Sequence, residues 1–193
     1  TDHTVSGLGA AAHRAGMTRQ ETNVAELYLR SGGTGETTYL LLHGLGATGE
    51  VWDGLADLIE RNKAGRWLVP DFRGHGRSPW EKPYTYAALM ADLIPLINEA
   101  SRLVVIGHSM GGVVGLMLGG ALPNVERVLG VGIKVSWNEV ELEQMQALST
   151  RPVRWWATQV EAVERYLKVS GLIGLVNPDS PTAQCGVIAG DDG

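Results

Sequence analysis

Arg102-Leu-Val-Val-Ile-Gly-His-Ser-Met-Gly-Gly112 is the stretch whose reading decides the fold. Leu103 to Ile106 is a short apolar, β-branched run that predicts a buried strand, and Val113 to Leu122 predicts a tightly packed helix behind it. Between them, Gly107-His108-Ser109-Met110-Gly111 fits the pattern G-x-S-x-G. A strand that becomes a helix within one turn forces its central residue into a strained backbone conformation and pushes that side chain out at the top of the sheet. Glycine two residues before and two after Ser109 removes the Cβ atoms that would collide with the neighbouring turn. Ser109 also falls at a helix N-terminus, where free N–H groups and the helix dipole favour negative charge. Such a serine is placed to be a nucleophile. The pattern alone matches many glycine-rich loops, and the strand before it and helix after it supply the required context.

Working outward, Thr37 to Leu42 (TTYLLL) is apolar or β-branched throughout, as a strand covered on both faces should be, and runs straight into His43-Gly44-Leu45-Gly46. Thr48 is a candidate N-cap for a helix in which Trp52, Leu55, Ala56 and Ile59 recur at helical spacing. Trp67 to Val69 predicts the next strand, followed by the loop Asp71-Phe-Arg-Gly-His-Gly-Arg-Ser78. Tyr86, Leu89, Leu93 and Ile97 mark a helix with Pro95 inside it, expected to kink the last turn. Val125 to Ile133 predicts the strand after the nucleophile helix. This alternation calls for an α/β protein: a doubly wound, mostly parallel sheet with helices on both faces. Upstream, Val24 to Leu29 alternates weakly and predicts a strand closed by the turn Ser31-Gly-Gly-Thr-Gly35. Residues 1–21 show no period and read as an N-terminal arm, with the core over 22–135.

From Val135 the pattern changes. Val140, Leu142, Met145 and Leu148 form one amphipathic helix, and Pro152 opens a second in which Val153, Trp156, Val160, Val163 and Leu167 recur. Two consecutive helices without a strand read as an insertion over the sheet, so residues 136–193 are expected to form a helical cap. Trp137, Met145, Trp155, Trp156 and Tyr166 are expected near its mouth, where they suit a small apolar acyl or ring-containing substrate. Each is equally the kind of residue that packs a lid onto a sheet. Asn177 to Pro181 is a turn-rich break, and Cys185 to Gly190 a short apolar run.

Composition narrows the class. The 193 residues are 44% hydrophobic and 19% charged, as in an ordinary globular domain. A net charge of -5 gives no electrostatic footprint for nucleic acid or an anionic membrane, and neither partner is expected. The longest apolar stretch, Gly111 to Leu122, is too short to span a bilayer. Thr1-Asp-His-Thr-Val-Ser lacks the basic-then-apolar pattern of a signal peptide, and Cys185 is the single cysteine; both make the cytoplasm the expected compartment. Cysteine and histidine show no metal-site spacing, and nothing specifies an oligomeric state.

Taken in order and spacing, His43-Gly-Leu-Gly46, Asp71-Phe-Arg-Gly-His-Gly-Arg-Ser78 and Gly107-His-Ser-Met-Gly-Gly112 resemble three signatures of the α/β-hydrolase fold superfamily. The resemblance covers roughly residues 22–135. It implies that Ser109 is the nucleophile, that the backbone N–H groups of Leu45 and Met110 form the oxyanion hole, and that Asp71, Arg73 and His75 shape the floor of the site. It further implies a serine hydrolase cleaving a carboxylic ester, lactone or thioester by acyl transfer, without cofactor or metal. A carbon–carbon bond hydrolase of the same fold, or a non-catalytic ligand-binding relative, are the alternatives. Serine at the elbow, rather than aspartate, argues against haloalkane dehalogenases and epoxide hydrolases.

The family's chain order is serine, acid, histidine. The histidines here are His3, His13, His43, His75 and His108, none of them after Ser109, so no catalytic histidine is expected in this chain. His108 should point away from its neighbour on the strand. Asp191 and Asp192, at the end of Val187-Ile-Ala-Gly-Asp-Asp192, are the candidates for the acid, although Asp192-Gly193 equally suits a hairpin turn. The chain is therefore expected to stop before the last core strands, leaving a sheet edge unpaired.

Overall fold

The computed structural model describes residues 24–149 and 154–190. The N-terminal arm, the Pro152 helix start, His3, His13, Asp191 and Asp192 lie outside the described residues. Strands β1 (Leu29–Gly33), β2 (Thr37–Leu42), β3 (Arg66–Pro70), β4 (Arg102–His108) and β5 (Val125–Val131) form one sheet in the order β1-β3-β2-β4-β5. β1 runs antiparallel to β3, and every other pair is parallel. The helices are α1 (Asp53–Arg61), α2 (Tyr86–Ile97), α3 (Met110–Ala121), α4 (Glu139–Ser149), α5 (Gln159–Val169) and the short α6 (Pro181–Gln184).

The period of two along β2 divides the core. Leu40 and Leu42, with Leu68, Leu103 and Val105, pack against Leu89, Leu93 and Ile97 of α2 and Val114 and Leu118 of α3. Leu41 and Val69, with Tyr39, Trp67 and Ile106, pack against Ala56 and Ile59 of α1 on the opposite face. TTYLLL therefore has no solvent face, which is why it carries no polar alternate. α5 and α6 build a separate small core from Val163, Tyr166, Leu167 and Ala183. β5 is the far edge of the sheet, with Leu129 and Val131 exposed.

Three local expectations are corrected. The strand expected at Val24–Leu29 lies instead at Leu29–Gly33, inside the expected glycine turn. Trp67 explains this: its indole covers Gly32, where a Cβ would stand 2.5 Å from the ring, and donates to Glu60 Oε2 at 3.1 Å. Packing from the neighbouring strand overrides the turn propensity of Ser-Gly-Gly. Thr48 precedes a 3-10 turn (Gly49–Trp52) rather than an α-helix, and its hydroxyl caps nothing there. The second helix described in the C-terminal segment begins at Gln159, where Thr158 Oγ1 accepts the Glu161 N–H at 3.2 Å, so Trp156, expected inside that helix, precedes it. By contrast, α2 continues through Pro95 over the expected span.

The chain runs from β2 outward to β3 and then crosses back over β2 to β4, so the winding reverses between β2 and β4. A crevice opens outside the carboxyl ends of strands at such a reversal. The register pairs Leu42 with Gly107, which brings the turn after β2 level with the elbow after β4.

A buried ion pair braces this end of the sheet. Arg73 Nε and a terminal nitrogen donate to Asp92 at 2.6 and 2.5 Å, and the same carboxylate accepts the Ala25 N–H at 2.7 Å. Both side chains are almost wholly excluded from water. Removing the charge of one partner leaves the other buried and uncompensated. Asp92→Asn should therefore lower the free energy of unfolding by about 3–5 kcal/mol, read from urea denaturation; a loss no larger than that of an exposed pair would contradict the assignment.

Candidate active site

Ser109 sits between β4 and α3 with φ 49° and ψ -113°, a backbone conformation that side chains other than glycine rarely adopt. Close packing holds it there. A Cβ on Gly107 would stand 2.4 Å from the Gly111 carbonyl, and one on Gly111 would stand 2.4 Å from the Leu42 carbonyl oxygen. The Ser109 N–H donates to Val131 O at 2.8 Å, which pins the elbow to the end of β5. Ser109 is half-buried at the crevice, not enclosed in the core.

The turn His43-Gly44-Leu45-Gly46 passes directly beside it. A Cβ on Gly44 would lie 3.4 Å from Ser109 Cβ and 2.7 Å from His108 Nδ1, so only glycine permits this approach. The His43 ring is fully buried, and its Nε2 accepts the Phe72 N–H at 3.0 Å. Its proton therefore resides on Nδ1, which donates to the Gly44 carbonyl at 2.8 Å. The Gly44 C=O and the Leu45 N–H belong to one planar trans peptide and point in opposite directions. Holding the carbonyl thus aims the Leu45 N–H. Ala47 N–H donates to the same carbonyl at 3.2 Å and reinforces the orientation. Neither the Leu45 nor the Met110 amide donates to an acceptor among the described residues, and Met110 is the first residue of α3, where helix N–H groups have no internal partner.

Below the turn, the 71–78 loop is occupied with structure. Asp71 Oδ1 accepts the Gly49 N–H at 2.7 Å and Oδ2 accepts the Arg77 N–H at 3.0 Å. Ser78 Oγ donates to Asp71 O at 2.6 Å. His75 is 5.0 Å from His43, ring to ring, with Nδ1 3.1 Å from Arg73 O. No imidazole among the described residues hydrogen-bonds Ser109 Oγ. His108 packs instead between the turns at Gly44 and Gly132. Among the described residues, no three His, Cys, Asp or Glu side chains gather as a metal site. No helix among them is long and apolar enough to cross a membrane.

The aromatic and methionine side chains expected at the mouth separate. Trp137, Met145 and Trp155 are exposed. Trp156 lies under the Arg154 guanidinium at 4.3 Å and forms one wall of an open groove with Leu167, Ile173 and Val176. That groove includes neither Ser109 nor Leu45. Tyr166 is buried, with Oη 3.1 Å from Thr48 Oγ1. Sequence reasoning missed this junction between α5 and the turn after β2. The capping pattern Thr158-x-x-Glu161, which marks the true start of α5, could have placed Tyr166 on that helix's buried face.

A serine strained between strand and helix, faced by a glycine turn at the reversal point of a doubly wound sheet, defines the architecture of an α/β hydrolase. The chain belongs to the alpha/beta hydrolase family, whose profile matches residues 39–184. It is 36% identical over 97 residues to "Lipase LipV" of Mycobacterium tuberculosis, a match covering 49% of this chain and 36% of that protein. It is 35% identical over 108 residues to "sn-1-specific diacylglycerol lipase ABHD11" of Danio rerio, covering 54% of this chain and 34% of the relative. Among solved structures, a hydrolase from Pseudomonas aeruginosa superposes with a TM-score of 0.60 at 25% identity, covering 84% of this chain and 61% of that one. The chain thus spans much less than two thirds of the length of the curated relatives it matches.

Burial pushes the His43 imidazole down to about 3, from an ordinary value of 6.5, and lowers His75 for the same reason. The unfolded chain therefore binds more protons than the folded one below about pH 6.5, and stability is full above that pH and falls as pH drops toward 3. His43 alone contributes a slope approaching about 1.4 kcal/mol per pH unit inside that window. His43→Gln, whose amide oxygen can still accept the Phe72 N–H, should flatten the urea midpoint between pH 6.5 and 5 relative to the wild type. An identical slope in the variant would show that His43 titrates normally.

Proposed function

We propose that this chain carries the nucleophile and oxyanion hole of a serine hydrolase that cleaves a carboxylic ester, lactone or thioester. The observation that carries the reading is the strained Ser109 backbone beside the Gly44 turn. Ser109 Oγ would add to the substrate carbonyl carbon as its proton passes to a general base that none of the described imidazoles supplies, placing negative charge on the former carbonyl oxygen; the same proton then goes to the departing alcohol or thiol. The Leu45 and Met110 N–H groups would stabilise that charge without reorienting, since both are held in place before substrate arrives; one such donor is typically worth about 100- to 1000-fold in turnover. Collapse of the tetrahedral species expels the alcohol or thiol and leaves an acyl-serine, which water converts to the carboxylic acid.

The lipases among the relatives support a lipophilic acyl ester as the substrate class. Exposed Leu45, and Val169 against Gly46, put apolar surface at the turn where an acyl chain would lie. Residues 136–193 would then act as a cap over the 22–135 core. The position of α5 over Gly46 supports that division.

A fluorophosphonate probe should attach to Ser109 in the full-length gene product, located by peptide mass. Ser109→Ala should abolish the adduct and reduce hydrolysis of p-nitrophenyl esters by at least about 1000-fold. A folded wild-type protein that takes no adduct and turns over no ester would favour a non-catalytic ligand-binding protein on the same fold.

A further inference from the structure

We infer that the Tyr166 hydroxyl is a positioning group for the oxyanion turn: through Thr48 it fastens α5 and α6 to the segment that carries the Leu45 N–H. Docking of these helices and the geometry of the oxyanion hole are then one coupled property. The inference rests on Ser109 as nucleophile and Leu45 as oxyanion donor.

The junction is a closed polar cluster inside an otherwise apolar contact. Tyr166, Thr48 and Glu50 are all buried. Tyr166 Oη lies 3.1 Å from Thr48 Oγ1, and Cys185 Sγ, just past α6, lies 3.6 Å from the same atom. Cys185 in turn donates to Thr182 O at 3.2 Å, so its thiol is committed within its own turn. Arg77 is 3.4 Å from the buried Glu50 carboxylate, two residues beyond Thr48. Either hydroxyl of the Tyr166–Thr48 pair can be the donor. Burial pushes the Tyr166 hydroxyl up to about 12, so it stays a neutral phenol at this contact.

Three further contacts set the same register. Val169 Cγ1, at the end of α5, occupies the space where a Cβ on Gly46 would stand at 2.7 Å. Thr182 Oγ1 lies 3.4 Å from Asp53 Oδ2 at the start of α1. The Tyr166 ring rests on the Gly186 backbone so closely that a Cβ there would fall 2.3 Å from the ring.

Leu45 thus stands between two anchors. His43 holds Gly44 from the core side, and Tyr166 holds Thr48 from the helical side. Apolar packing alone would resist separation but tolerate sliding, whereas a buried hydrogen bond is directional and fixes where Thr48 sits. Movement of α5 to admit a substrate would therefore loosen the turn, and redocking would restore its aim.

The test compares Tyr166→Phe and Thr48→Val in the full-length gene product, each of which keeps the local volume while removing the bond. Both should lower kcat for p-nitrophenyl ester hydrolysis by about 10- to 100-fold with KM little changed, because the defect lies in transition-state stabilisation. Thr48→Ser should recover most of the loss seen in Thr48→Val, and the double variant should be no worse than either single one. Thermal unfolding of each variant shows that it is folded. A folded Tyr166→Phe protein with wild-type kcat and a changed KM or melting temperature would make the contact a simple anchor and overturn the inference, while fluorophosphonate labelling of wild-type Ser109 would still leave the nucleophile in place. A wild-type protein without that adduct would overturn both.

Discussion

The backbone of α3 meets the end of β2 with no side chain between them, and the rest of the site depends on that approach. Gly111 stands against the Leu42 and His43 carbonyls, and Gly107 against Gly111 and Gly112. Any Cβ at these points would hold the two segments apart. Their closeness is what brings the glycine turn after β2 within reach of Ser109, and what confines Ser109 to its positive φ. Strain of this kind persists only where surrounding structure over-determines it. Here the Val131 carbonyl, the β2–β4 register and the packing of Val114 and Leu118 on the sheet together supply that constraint.

A second layer keeps the turn itself from wandering. His43 works as a neutral strut: one ring nitrogen accepts from the 71–78 loop and the other donates to the peptide that bears the Leu45 N–H. Asp71 ties the same loop to Gly49 at the far end of the turn. The loop in its turn is held by the Arg73–Asp92 pair, which reaches α2 and the segment before β1. Charged and polar side chains that look catalytic in a sequence are thus occupied in orienting main-chain groups.

The elbow was legible because its requirement is local. Glycine spacing, a β-branched strand and a following helix all lie within twenty residues, and each is imposed by sterics that any such crossing must meet. The β-strand positions Leu40, Leu41 and Leu42 were legible for a similar reason, since burial on both faces leaves a continuous apolar run. β1 was misplaced because its glycines owe their extended form to Trp67 on another strand. Trp156 falls outside α5 because that helix starts at the Thr158-x-x-Glu161 cap, a signal as local as the apolar spacing but at odds with it.

The sequence by itself determined the α/β layering and the elbow that presents Ser109, because these follow from short-range periodicity and from the glycines a tight crossing needs. Tertiary structure alone decided which histidine nitrogen carries a proton, that Tyr166 is buried against Thr48, and that Trp156 faces a groove apart from Ser109. Those outcomes depend on pairs of residues separated by tens of positions in the chain. Their meeting is set by how whole elements pack, and no local pattern records it.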